Sequence, residues 1–244
     1  MDKKKILFES IDDMSRYAAD SIMDYAQSCI HDHGYFSLVL SGGSTPRRLY
    51  ELLSESPYRE AMPWKNTHVF WGDERCVPPD DPHSNYAMAF QALLSKIPIQ
   101  ETNIFRMTGE TRPEEQAAID YERSIRDFDK SKGVRNMEFP SFDLILLGVG
   151  NDGHTASLFP GNEVLQEQKR WVSTVTAPPD MPVRKRLTLT VPVINNASGI
   201  LFLVSGAGKH DIVEAVFYSP TAGTQYPAAQ IAAKNDTLWL ITKE

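Results

Sequence analysis

Apolar positions along this chain alternate between two spacings, and the alternation predicts the architecture. From Ile11 to His33, the residues Ile11, Met14, Ala18, Ile22, Ala26, Cys29 and Ile30 recur at three- and four-residue steps, and Gly34 supplies a stop. That is one apolar face of a helix. Phe36–Leu40 is instead a short unbroken apolar run, as a strand buried on both faces requires. Ser41-Gly42-Gly43-Ser44-Thr45-Pro46 ends it, and Thr45 as N-cap with Pro46 at the first helical position predicts a helix to about Leu53. Thr67–Trp71 reads as a second strand, followed by Gly72-Asp73-Glu74-Arg75, a Pro/Asp loop over 78–82 and a helix over 85–94. A helix over 113–128 and an exposed connection over 130–140 come next. Further strands are predicted at 142–147, 171–176, 187–191, Gly199–Val204 and 237–240, with a helix over 207–217. Strands alternating with helices predict an α/β fold, a mainly parallel sheet flanked by helices and related to the Rossmann architecture. No repeat or long linker divides residues 1–244, so one domain is expected, with a small subregion around 160–190.

Composition narrows the function classes. With 244 residues, 41% hydrophobic and 23% charged, the chain has the make-up of a globular protein. A net charge of −7 argues against a nucleic-acid partner. The basic head Lys3-Lys4-Lys5 precedes only three apolar residues, too few for a secretory signal, and no apolar stretch approaches the roughly 18–20 residues of a membrane span. A cytoplasmic location, no membrane contact and no obligate protein partner are expected. Cys29 and Cys76 have neither metal-type spacing nor a disulfide framework, and Cys29 reads as a small core residue.

The candidate chemistry lies where strands end. Four exits carry glycine, hydroxyl or charged residues: 41–46, 72–75, 148–155 and 205–209. In a parallel sheet the carboxyl ends share one edge, so these turns should meet at one crevice. In the first, Gly42 and Gly43 allow close backbone approach, Ser44 and Thr45 offer hydroxyls, and the following helix points its N–H groups at an anion. The loop lacks the lysine and spacing of an ATP-binding Walker loop, which favours a simple phosphate. Lys209 at a helix start opposes the helix dipole, a cost that a bound anion would offset. Arg186, ahead of the 187–191 strand, could reach the same edge. Asp73 and Arg75 either pair to hold their turn or serve a ligand, the arginine on an anion and the aspartate orienting it or a sugar hydroxyl. The fourth group is the pair Asp152 and His154, an aspartate and a proton-transferring imidazole in one glycine-rich turn.

Other readings have weaker support. Residues 148–153 match G-x-G-x-x-G, but no acidic residue ends the next strand to hold a ribose. The six histidines include no helical His-x-x-x-His pair, and no G-x-S-x-G elbow is present.

Taken together, Ser41-Gly42-Gly43-Ser44-Thr45-Pro46, the run 70–78 with Ser84-Asn85-Tyr86, and Gly148-Val149-Gly150-Asn151-Asp152-Gly153-His154-Thr155 continuing to Gly161 resemble the three signatures of the 6-phosphogluconolactonases. Arg186 and the 205–209 turn complete the set. The resemblance implies the fold shared with glucosamine-6-phosphate deaminases, ribose-5-phosphate isomerases and coenzyme A transferases. It also implies hydrolysis of a phosphorylated gluconolactone without metal or redox cofactor. His154 would be the general base and Asp152 would orient it. Arg75 or backbone N–H groups would steady the oxyanion, and Ser44, Thr45, Arg186 and Lys209 would grip the phosphate. Deaminases usually carry Asn-Glu-Pro after the histidine, whereas this chain reads Leu158-Phe159-Pro160, and phenylalanine moves no proton.

Overall fold

The computed structural model describes residues 4–134, 137–219 and 221–243. In chain order the elements are β1 (Lys4–Phe8), α1 (Ile11–His33), β2 (Phe36–Leu40), α2 (Ser44–Leu53), α3 (Tyr58–Ala61), β3 (Thr67–Trp71), β4 (Asp73–Arg75), α4 (Asn85–Ala92), α5 (Glu114–Ser131), β5 (Leu144–Leu147), β6 (Val172–Thr176), β7 (Lys185–Leu189), α6 (Val191–Asn195), β8 (Gly199–Val204), α7 (His210–Tyr218), α8 (Ala222–Gln225) and β9 (Asp236–Thr242). Six strands form a wholly parallel sheet in the order β1-β9-β8-β5-β2-β3. β2, β5 and β8 are buried at every position, which is why their sequences are unbroken apolar runs. From β2 the chain steps outward to β3, then returns on the other side through β5, β8 and β9. The order therefore reverses between β2 and β5, and a crevice opens beyond their carboxyl ends.

A second sheet is antiparallel, in the order β4-β7-β6. It is the subregion expected near 160–190, and it corrects two expectations. Asp73-Glu74-Arg75 is a short strand, not a turn. It pairs Asp73 with Thr188, Glu74 with Leu187 and Arg75 with Arg186. Arg186 lies inside β7, not ahead of it, and Val191 already opens α6, whose Pro192 suits a first turn. Val172, Leu187 and Leu189 join the same apolar cluster as the parallel strands, so the small sheet is seated firmly on the large one.

Helix ends show how local chemistry sets the boundaries. Ser10 caps α1 by accepting from the Asp13 N–H at 3.1 Å, and Gly34, at φ 89°, closes it by donating to the Ile30 carbonyl at 3.0 Å. Helix α2 begins two residues earlier than Thr45 predicts: its cap is Gly43, at φ 108°, with no side-chain cap. Glycine alone adopts that geometry readily, and the first-turn N–H groups are left without a side-chain acceptor. A 3-10 turn over Ala207–Lys209 precedes α7, so Lys209 sits at the helix cap and not within the helix. Strand β1 escapes the periodicity because its five residues sit at the sheet edge beside β9, only partly buried.

Candidate active site

The four polar strand exits meet at one cleft. Its lining includes Ser41, Gly42, Gly43, Ser44 and Thr45 from the β2–α2 turn, Asp73 and Arg75 from β4, and Asn85 at the start of α4. Gly148, Gly150 and His154 come from the turn after β5, Arg186 from β7 and Lys209 from the turn after β8. Nine of the ten candidate residues reach it directly. Asp152 stands behind His154 instead, its Oδ1 2.5 Å from Nδ1 of the imidazole and 3.1 Å from the His154 N–H.

The histidine turn is held on several sides. Gly150 donates to the His154 carbonyl at 2.8 Å, and the Thr155 hydroxyl donates to the Gly148 carbonyl at 2.8 Å. A Cβ on Gly150 would come within 2.1 Å of the imidazole, so only glycine leaves the ring its place. The glycines of 148–153 thus shape a histidine turn. They do not lead into the helix that a pyrophosphate site needs, since turns and bends follow as far as the 3-10 segment at Glu163–Gln166. Buried Phe159 lies 4.7 Å from the imidazole, ring centre to ring centre, and gives it an apolar wall. The side chain is still 20% exposed, open enough to meet solvent. Burial works to raise the Asp152 carboxyl, but the hydrogen bond and charge of His154 win and hold it below the ordinary carboxylate value.

β4 supplies both sides of its strand. Its inner-facing carboxylate, Glu74, collects the Asn85 and Tyr86 N–H groups at 2.7 and 2.8 Å and the Ser84 hydroxyl at 3.0 Å, which anchors α4. Burial raises the Glu74 carboxyl, against the three backbone N–H bonds that favour its charge. On the cleft face, Asp73 makes no ion pair with Arg75 among the described residues, so the turn-holding pair is not what the structure contains. Asp73 accepts from Ser157 Oγ at 2.6 Å and from Asn85 Nδ2 at 3.1 Å, while Arg75 donates to the His83 carbonyl at 2.6 Å.

Two residues outside the sequence-based candidates belong to this machinery. Asn85 gives its amide hydrogens to Asp73, leaving a buried Oδ1 without a partner among the described residues. That oxygen faces Gly42, where a Cβ would come within 1.8 Å of it. Ser157 ties the histidine turn to β4. Both lie inside the motifs quoted above, but a buried amide and a serine carry no signal of their own in one sequence.

Two cations, Arg186 and Lys209, line the cleft. Arg186 is 6% exposed, and no carboxylate lies within ion-pair distance of it among the described residues. Its Nε donates only to the Val183 carbonyl, at 3.0 Å. Burial lowers the ordinary value of Arg186 and, likewise, of Lys209. A buried guanidinium and a half-buried ammonium, neither with a carboxylate at ion-pair distance among the described residues, line the same cleft as the start of α2, an arrangement able to take a phosphate-like dianion.

An α/β crevice at a strand-order reversal thus holds two cations and an Asp-backed histidine. Residues 9–239 match the family described as Glucosamine-6-phosphate isomerases/6-phosphogluconolactonase. A 6-phosphogluconolactonase of Synechocystis is 42% identical over 215 residues, 88% of this chain and 85% of its own length. The solved 6-phosphogluconolactonase of Trypanosoma brucei superposes with a TM-score of 0.86 at 26% identity, covering 99% of this chain and 97% of its own. A solved monomeric glucosamine-6-phosphate deaminase of the NagB superfamily shares the fold, with a TM-score of 0.81 at 23% identity over 99% of this chain and 98% of its own. The chain belongs to the glucosamine-6-phosphate isomerase/6-phosphogluconolactonase family.

Proposed function

We propose that this chain hydrolyses 6-phospho-D-glucono-1,5-lactone to 6-phospho-D-gluconate, the lactone-opening step of the oxidative pentose phosphate pathway. The observation that carries the reading is that His154, backed by Asp152, lines the same cleft as Arg186, Lys209 and the Gly43–Thr45 turn. The Synechocystis relative supports the choice of substrate.

In this mechanism the phosphoryl group sits against Ser44, Thr45, Arg186, Lys209 and the N–H groups opening α2. Binding energy from that remote end positions the lactone carbonyl. Asp152 holds the proton on Nδ1 of His154, which leaves Nε2 as the basic nitrogen. Nε2 takes a proton from water as its oxygen attacks the carbonyl carbon. The imidazolium, steadied by Asp152, then gives that proton to the departing ring oxygen as the C–O bond breaks. Arg75 and backbone N–H groups of the cleft face the developing oxyanion. Every step is supplied by side chains and water, so no metal or redox cofactor enters. A cytosolic site of action belongs to the same proposal; among the described residues no helix is long and apolar enough to cross a membrane.

Amino-sugar deamination is the rival activity within the family. It needs a further acid/base group beside the histidine, and Phe159 occupies that place. Freshly prepared phosphogluconolactone, with product read by a coupled dehydrogenase, should be turned over. Glucosamine 6-phosphate should release no ammonia. The reverse pattern would overturn the proposal.

A further inference from the structure

The edge of the sheet opposite the cleft carries a second cluster of chemistry. There Cys29 Sγ, His33 Nε2 and a carboxylate oxygen of Asp143 all lie within 4.8 Å of one another. We propose that these three side chains bind a divalent transition metal of the zinc type.

Cys29 and His33 are one helical turn apart at the end of α1, so they share a face. Pairs of histidines alone miss this Cys-x-x-x-His spacing, and Cys29, half-buried, packs against the core as its place in the periodic pattern predicts while its sulfur also lies beside His33 and Asp143. Asp143 enters from the residue before β5. Its Oδ2 is pinned by the Ser37 N–H at 2.8 Å and the Ser37 hydroxyl at 2.7 Å, while Oδ1 lies 3.1 Å from His33 Nε2. A carboxylate that ligates a metal is typically held in this way, by hydrogen bonds of its own. With bonds of about 2.0–2.3 Å, tetrahedral zinc places its ligand atoms roughly 3–4 Å apart, so small side-chain rotations complete the geometry.

Local charge favours a cation. Asp143, Asp32 and the negative end of the α1 dipole all act at this point. Lys132 stands over the Tyr35 ring at 4.8 Å, and His33 packs against the same ring at 4.3 Å, centre to centre. Cys29 is half-buried with the Asp143 carboxylate beside it, and a thiol must give up its proton to ligate a metal. Metal binding releases that proton to solvent and sets a thiolate against a dication. Thiolate, imidazole and carboxylate together select zinc or cobalt over magnesium or calcium. His33 is 37% exposed, which gives ions an entry path and leaves room for water as a fourth ligand.

The test uses the full chain, reduced and stripped with a chelator, and titrated with Co2+. A near-ultraviolet thiolate-to-cobalt charge-transfer band should saturate at one equivalent and vanish on adding Zn2+. The band should disappear in Cys29→Ser, and Zn2+ affinity should fall about tenfold or more in His33→Ala. It should survive in Cys76→Ser and His31→Ala, with circular dichroism confirming that each variant folds. Lactone turnover should be unchanged in Cys29→Ser, because β2 separates the two sites by about 16 Å. No band with excess Co2+, a band that persists in Cys29→Ser, or unaltered Zn2+ affinity in His33→Ala would reduce the cluster to a hydrogen-bonded clasp between α1 and the sheet and overturn the proposal.

Discussion

Ser157 Oγ donates a 2.6 Å hydrogen bond to Asp73 Oδ2, joining the turn that carries His154 to strand β4, 84 positions away in the chain. Both residues are buried, and the bond is charge-assisted. Ser157→Ala removes one of the two side-chain donors to Asp73. It should cost about 1–3 kcal/mol of stability, read by urea unfolding, and lower kcat more than it raises KM. Unchanged stability would mean that water replaces the hydroxyl.

Arg186 is expected to weaken the empty protein in order to serve the ligand-bound one. Burying its guanidinium with no carboxylate at ion-pair distance is unfavourable until an anion arrives, since burial outweighs the favourable charge of Asp73. Arg186→Met should therefore melt at or above the parent temperature while KM for the lactone rises about tenfold or more. Inorganic phosphate should raise the melting temperature of the parent and leave that of the variant nearly unmoved. A variant that melts far lower, with KM intact, would make Arg186 a structural residue.

Gly150 leaves no room for a methyl group beside the imidazole. Gly150→Ala should displace the His154 ring and lower kcat on the order of 10²-fold, the usual penalty for misplacing a reacting group by about 1 Å. Near-parental kcat would show that the ring tolerates the shift and that its position is not critical.

Much of this was legible in the residues. Ile11–His33, Phe36–Leu40 and Thr67–Trp71 emerge with their observed bounds because burial on one helix face or both strand faces writes a period directly into the sequence. The convergence of 41–46, 72–75, 148–155 and 205–209 follows from a parallel sheet having one carboxyl edge. What escaped depends on partners distant in the chain. Asp73-Glu74-Arg75 is a strand only because β7 lies alongside it, and its three residues are too short for a period. Gly43 replaces Thr45 as the α2 cap because the backbone there enters a region only glycine tolerates. Asn85 becomes part of the site through hydrogen bonds to Asp73, which no local pattern encodes.

Stability should respond to acid through two groups at the N-terminal edge of the sheet, in opposite senses. Burial and then the Lys132 charge lower His68 from 6.5 to about 4. The unfolded chain therefore binds the extra proton first, and stability falls as pH drops from 6.5 to about 4. Burial raises Asp129 from 3.8 to about 6, so its contribution is present below 3.8 and lost as pH rises towards 6. The melting-temperature advantage of the parent over His68→Gln should shrink as pH falls through the first window. Its advantage over Asp129→Asn should shrink as pH rises through the second. Flat differences would show that both groups are hydrated in solution.

The central claim is that one imidazole moves the proton in lactone hydrolysis, and the most direct measurement is kcat of His154→Ala on fresh phosphogluconolactone, with product affinity measured in parallel. The account predicts a loss of about 10²–10⁴-fold in kcat, with 6-phosphogluconate still bound within a few-fold of the parent. Turnover equal to the parent's, corrected for spontaneous hydrolysis, would contradict it.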